Sequence, residues 1–339
     1  TAKDPASRYA KRLANVSGVS GSGDQVTITL TVPNGALPTL LDIPIALDSS
    51  SRPLGTGPYV LSEQNGKLYL NAREDWQGAD SLSIKQIPLA TMTQKEQVGT
   101  AFNSGEVTLI DADITGSNEL GYSGSYEVWE YNTTGLIYLG FQTAHGVCQK
   151  AEVRQAIAKA IDRSYVTDNV YARHATAATL PVHPDSALYD TELAQELEYD
   201  LSALKELGLE GKSLTLLVNI EDMAKSAAAN RIEEDLESAG LRVTVERLAW
   251  EDYVKALERG QFDLYLAEVY LTADFDLTSL ISPQGELNYG GWNDAAAGQC
   301  APGPGRGAGG ADDHPAALLK SKCPHRPHLL RGGDGAHPV

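Results

Sequence analysis

The sequence predicts an α/β fold, and three observations carry that reading. Residues 214–270 alternate strand and helix patterns in the order β-α-β-α-β with short connections. The chain before residue 150 shows mostly short-strand patterns, and helical periods predominate only after it. At 339 residues the chain is long enough for two domains on the usual scale of roughly 100–200 residues each.

The first clear strand is residues 25–32, where Val26, Ile28, Leu30 and Val32 alternate with threonines and Pro33-Asn34-Gly35 stops the run. Gly55-Thr56-Gly57-Pro58-Tyr59 turns tightly into a second strand. Its hairpin partner, Lys67–Asn71, lies across Asn65-Gly66. Short strands are expected near 81–86, 107–110 and 126–130, and a helix over 93–104 ending at Gly105.

From Ala151 to Arg163, residues Val153, Ile157, Ala160 and Ile161 share one helical face. A helix over 193–207 is expected to stop at Gly208. Strands at 214–220, 241–248 and 262–270 then alternate with helices at 224–239 and 250–259, a pattern of parallel strands joined by crossovers. Ile232, Leu236 and Ala239 form the inward stripe of the first of these helices, and Val254 and Leu257 that of the second.

Residues 298–339 differ in kind. They hold nine of the 32 glycines, six of the 16 prolines and no aromatic ring, and cannot bury enough apolar surface to order themselves. We read them as a disordered Gly/Pro/His-rich tail, as from a shifted reading frame. The domain reading is therefore 1–142, mostly β; 143–297, holding the βαβαβ unit; and 298–339, the tail.

A net charge of −18 excludes a nucleic-acid partner, because phosphate binding needs clustered Lys and Arg; any steering it does favours a cation. No run of 18 apolar residues is present to span a membrane, and the first residues lack the charged and apolar regions of a signal peptide. Only Cys148 lies in the patterned part of the chain, which rules out a disulfide framework there. No cofactor is expected, since phosphate loop, nucleophile elbow and dinucleotide fingerprint are all missing. His145 and Cys148, with His174 and His183 further on, have no metal-ligand spacing.

In open α/β sheets ligands bind beyond the carboxyl ends of the strands. Asp274 and Asp276 stand just past the carboxyl end of the third strand, where they are either solvated loop acids or an anchor for a ligand ammonium. As a pair they also fit the acid and base of a glycoside hydrolase. Tyr289 and Trp292, set among Gly290 and Gly291, are either core rings or a wall facing a ligand.

Three segments carry a family resemblance: Gly55–Tyr59, the run Val153–Arg163, and Gly260–Leu264 leading to Ala273-Asp274-Phe275-Asp276. Together, over about residues 7–294, they resemble the extracellular solute-binding proteins of family 5, the dipeptide, oligopeptide and nickel-binding components of ABC importers. The resemblance implies a periplasmic-binding-protein-like (class II) two-lobed fold that closes round its ligand, here with an incomplete first lobe, and no catalysis. It implies that Asp274 holds the α-ammonium of a peptide; Glu268, Tyr270, Tyr289 and Trp292 are the further cleft partners expected from the residues around it. Many members have Gly-Trp where Tyr270-Leu271 stands here. It also implies ABC permease subunits as partners, an extracytoplasmic location (periplasm or cell-surface lipoprotein), and membrane attachment only through a lipid anchor absent from this chain. Family members are longer, so the chain is read as a fragment. A ligand sensor on the same scaffold is the alternative outside transport.

Overall fold

The computed structural model describes residues 7, 9–10, 12–35, 37–47, 54–111, 122, 125–186 and 188–293. The 298–339 tail lies outside the described residues. Described residues between Leu41 and Trp129 form one compact unit; those up to Leu40 and from Glu130 onward form the other.

The chain opens with an antiparallel hairpin, β1 (Val16–Ser22) and β2 (Gln25–Leu30), turning at Gly23 in the left-handed region, and then a single helical turn, α1 (Leu37–Leu40). In the unit from Leu41 to Trp129, β3 (Tyr59–Gln64), β4 (Lys67–Ala72) and β5 (Gln86–Leu89) make a three-stranded antiparallel sheet. Asn65 and Gly66 both take positive φ, 52° and 75°, which is the two-residue turn expected of Asn-Gly. The Gly55–Tyr59 turn is held by Arg73, whose guanidinium donates to the Gly55 carbonyl at 2.6 Å while its backbone N–H bonds Pro58. Helix α2 (Lys95–Asn103) begins with a capping box on Gln94 and stops before Gly105, at φ 76°.

Three local expectations in this unit change. The strand expected at 81–86 begins only at Gln86, after a 3-10 turn at Ala79–Ser81. It is an edge strand, which is why it tolerates Pro88, a residue without an N–H. Residues 107–110 and 126–130 form no strand, since no ladder partner faces them among the described residues.

The second unit is built on a four-stranded sheet of order β6-β9-β7-β8: β6 (Gly135–Phe141), β7 (Ser213–Asn219), β8 (Arg242–Leu248) and β9 (Leu264–Tyr270). β7 runs parallel to β8 and β9, as the βαβαβ pattern requires, and β6 runs antiparallel to β9. The sequence pattern passed over β6 (GLIYLGF). Helices α3 (Ala151–Ala160), α4 (Arg163–Tyr165), α5 (Thr191–Glu196), α6 (Ser202–Lys205), α7 (Met223–Ser238), α8 (Trp250–Glu258) and α9 (Thr278–Ile281) complete the unit. The helix expected over 193–207 is broken, because the Asp200 carboxylate accepts both the N–H and the hydroxyl of Ser202 and restarts the chain as α6.

Both faces of the sheet are covered. Leu214, Leu216 and Val218 of β7 pack with Ile157 of α3 and Ile232 and Leu236 of α7 on one face. Leu217 packs with Tyr253, Leu257, Phe262 and Tyr265 on the other, so Tyr253 rather than Val254 is the deep residue of α8. A strand buried on both sides reads as continuous apolar sequence, and each of these leucines contributes about 2 kcal/mol by burial.

Polar groups fix how the layers meet. Asp263 clamps three strands: its N–H donates to the Thr215 carbonyl at 3.0 Å, its carboxylate accepts the Thr215 N–H at 2.9 Å, and its carbonyl accepts the Gln142 N–H at 2.9 Å. The Ala-Ile-Asp-Arg end of the α3 motif works similarly. Asp162 caps α4, and its own N–H donates to buried Asp235, which also holds Arg231 at 2.7 Å. Arg154, almost fully buried, ties the 147–149 turn through the carbonyls of Cys148 and Gln149.

Replacing Asp263 by Ala should lower stability by about 2 kcal/mol, since the Thr215 N–H loses its charged acceptor; a lower urea midpoint at unchanged slope checks this. Cys148 is fully buried, and burial pushes its thiol up to about 12. In the native protein it should therefore stay unlabelled by an alkylating reagent at pH 8, as read by site-resolved mass spectrometry, and become labelled in denaturant.

Candidate ligand-binding site

The carboxyl ends of β7, β8 and β9 open onto one edge of the second unit's sheet. The chain leaving β7 supplies Ile220, Glu221, Asp222, Met223 and Lys225; that leaving β8 supplies Trp250; β9 supplies Glu268 and Tyr270 and leads to Asp274. Glu221 joins the first two outlets, accepting the Trp250 N–H at 2.8 Å and the Asn219 side-chain amide at 3.4 Å. The Trp250 N–H holds the Glu221 carboxyl below its usual range.

Four large apolar side chains of this edge face solvent: Ile220, Met223 (77% exposed), Trp250 (58%) and Tyr270. Side chains of this size left open beside a polar cluster are the composition of a binding surface. Sequence reading missed Ile220, Met223 and Trp250. The available signal was position, since each lies within four residues of a strand's carboxyl end.

The two acids beyond β9 have different surroundings. Thr134 grips Leu271 by two hydrogen bonds, and Phe275 adopts a positive φ of 54° to close the turn onto the Thr272 carbonyl. Inside that turn the Thr272 hydroxyl donates to Asp274 Oδ1 at 2.5 Å. A positive φ on an aromatic residue is strained backbone, here at the place that presents Asp274. Asp276 instead accepts the Thr278 N–H and hydroxyl at the start of α9.

Glu268 is engaged by Lys225, whose ammonium lies 3.2 Å from Glu268 Oε2 and 3.2 Å from Asp222 Oδ2. The remaining two predicted residues stand elsewhere. Tyr289 packs edge-on against Tyr265, and burial pushes its phenol up. Trp292 lies with Arg154 over its ring at 5.6 Å. Between them Gly290 bonds Thr143 at the far end of β6, beside the amino end of β9. The seven residues of β9 run from the Tyr265 contact of Tyr289, near its amino end, to the turn that presents Asp274. The structure thus gathers Glu268, Tyr270 and Asp274 at one end and Tyr289 and Trp292 at the other.

Trp292 does line a pocket of about 90 Å³ beside β6, with Leu136, Tyr138, Phe141, Leu280 and Ile281 among its other walls. The indole N–H of Trp292 is buried with no hydrogen-bond partner among the described residues. No group of three His, Cys, Asp or Glu side chains gathers to hold a metal among the described residues. No described helix is long and apolar enough to cross a membrane.

A doubly covered mixed sheet, whose three parallel strands end at an open polar and aromatic carboxyl edge, is the α/β arrangement in which ligands bind beyond the strand ends. Residues 1–288 match the bacterial extracellular solute-binding proteins, family 5 (its middle region), and the chain belongs to that family. It is 23% identical over 236 residues to di/tripeptide-binding protein 1 of Pseudomonas aeruginosa, covering 65% of this chain and 43% of that one. To heme-binding protein A of Haemophilus influenzae it is 24% identical over 234 residues, covering 64% and 41%. The chain thus spans less than half the length of these relatives. Among solved structures, HbpA2 from Haemophilus parasuis superposes with a TM-score of 0.66 at 21% identity, covering 87% of this chain and 65% of that one. AppA from Clostridium difficile gives 0.63 at 16%, covering 87% and 67%. The fold is the class II periplasmic-binding-protein-like α/β fold with a partial first lobe, as the sequence predicted.

The close approach at Gly290 yields a test of how the aromatic segment is seated. A Cβ there would come within 2.0 Å of the Phe141 carbonyl oxygen, and backbone cannot give way cheaply. Gly290→Ala should cost about 2 kcal/mol and speed amide exchange at Thr143, whose N–H bonds Gly290.

Proposed function

We propose that this chain is the substrate-binding part of an ABC importer, capturing peptides or another amine-bearing small molecule at the carboxyl edge of the β7-β8-β9 sheet. The observation that carries this is Asp274, a carboxylate held at that edge in a chain of the family 5 solute-binding proteins. With Oδ1 taken by Thr272, Oδ2 is left to accept an ammonium, a charge-assisted hydrogen bond stronger than a neutral one. Tyr270, exposed at the end of β9, offers a ring face to the same cation. The names of the relatives, which include di/tripeptide and oligopeptide binders, support a peptide as the ligand.

Transport by this reading involves no chemistry on the ligand: the protein presents it to permease subunits outside the cytoplasm, held at the membrane by a lipid anchor. Relatives of this kind are substrate-binding proteins, which agrees with a protein that is not an enzyme. A glycoside hydrolase would need Asp274 and Asp276 aimed at one bond, whereas Asp276 is engaged at the start of α9.

Calorimetry of the full chain with trialanine tests the reading. Asp274→Ala should weaken binding by 10- to 100-fold, the worth of about 1.5–3 kcal/mol for a hydrogen bond to a charged group. Unchanged affinity would show that the ammonium is anchored elsewhere.

A further inference from the structure

Of the three acids of β9 and its outlet, Glu268 has a cation beside it, Asp276 is engaged at the start of α9, and Asp274 accepts the Thr272 hydroxyl. Lys225 stands in the first turn of α7, 7% exposed, with its ammonium 3.2 Å from both Glu268 and Asp222. Its place is fixed from two sides. Asp222 caps α7 by accepting the Lys225 N–H at 2.8 Å, while the register of β9 on β7 presents Glu268 from the sheet. A buried ammonium must be paired, so both carboxylates are committed to it. Asp274, by contrast, has no Lys, Arg or His partner among the described residues.

We propose that Lys225 is a specificity-determining residue: by occupying Glu268 it leaves Asp274 as the open anionic anchor, so that the edge takes a ligand with one ammonium and disfavours a second cationic group beside it. This rests on the ligand reading above. A second cation brought toward Glu268 meets the Lys225 ammonium at close range, and like charges in a partly desolvated site repel far more than in water. The exposed side chains around the pair, Ile220, Met223 and Tyr270, suit an apolar group in that place instead.

The test compares trialanine with Lys-Ala-Ala, whose first residue carries two ammonium groups, by calorimetry on the full chain. The unmodified protein should prefer trialanine. Lys225→Gln should shift the preference toward Lys-Ala-Ala by about tenfold or more, the effect of removing one partly screened like charge. Lys225→Arg should keep the original preference, and Glu268→Gln should sharpen it. A merely structural role would move both affinities together, so an unchanged ratio in Lys225→Gln overturns the proposal. If neither peptide binds the unmodified chain, the peptide reading fails, and the pairing is judged by acylation with acetic anhydride. Lys225 should then react at least about tenfold more slowly than exposed Lys255, and faster after Glu268→Gln. Equal rates at Lys225 with and without Glu268 overturn it.

Discussion

The register of β9 against its two neighbours is the constraint on which this molecule's candidate site depends, and Asp263 sets it. One residue before the strand begins, its side chain and backbone bond Thr215 of β7 while its carbonyl holds Gln142 beyond β6. A one-residue slip of β9 would exchange the two faces of the strand. Leu264 and Leu266 would leave the α3/α7 layer, and Glu268 would turn away from Lys225. The clamp at the amino end therefore decides what stands at the carboxyl end, about 20 Å away.

At that carboxyl end, charge is arranged by burial. Lys225 is nearly inaccessible, so it holds two carboxylates tightly, whereas Asp274 sits in a strained turn with only a hydroxyl on one oxygen. Burial of the lysine thus commits Asp222 and Glu268 to the structure and leaves Asp274 without a cation among the described residues. The exposed Ile220, Met223, Trp250 and Tyr270 belong to the same strand outlets, the surface proposed to take the ligand.

Where sequence reading succeeded, the signal was local. Asn65-Gly66 fixed a hairpin because both residues accept positive φ, and Ile232, Leu236 and Ala239 are buried because a helix repeats its face every 3.6 residues. Where it failed, a local signal was ambiguous or overruled. The run Gly135–Phe141 is apolar without alternation, since an edge strand packed on both faces has no polar side to announce it. Residues 193–207 look helical until Asp200 and Ser202 bond each other, and 107–110 has strand composition but no partner. Tyr289 and Trp292 follow Asp274 closely in sequence, yet the chain folds back along the sheet between them.

By itself the sequence determined the βαβαβ order, the family, and the placing of Asp274 beyond the third strand. These follow from periodicity, turn chemistry and motif spacing, all of which act over a few residues. Only the tertiary structure decided that Glu268 is matched by a lysine 43 residues earlier, that Asp276 serves α9, and that Ile220, Met223 and Trp250 share the edge with Asp274. Such pairings depend on the register and packing of separate elements, and no local pattern records which residues those will bring together.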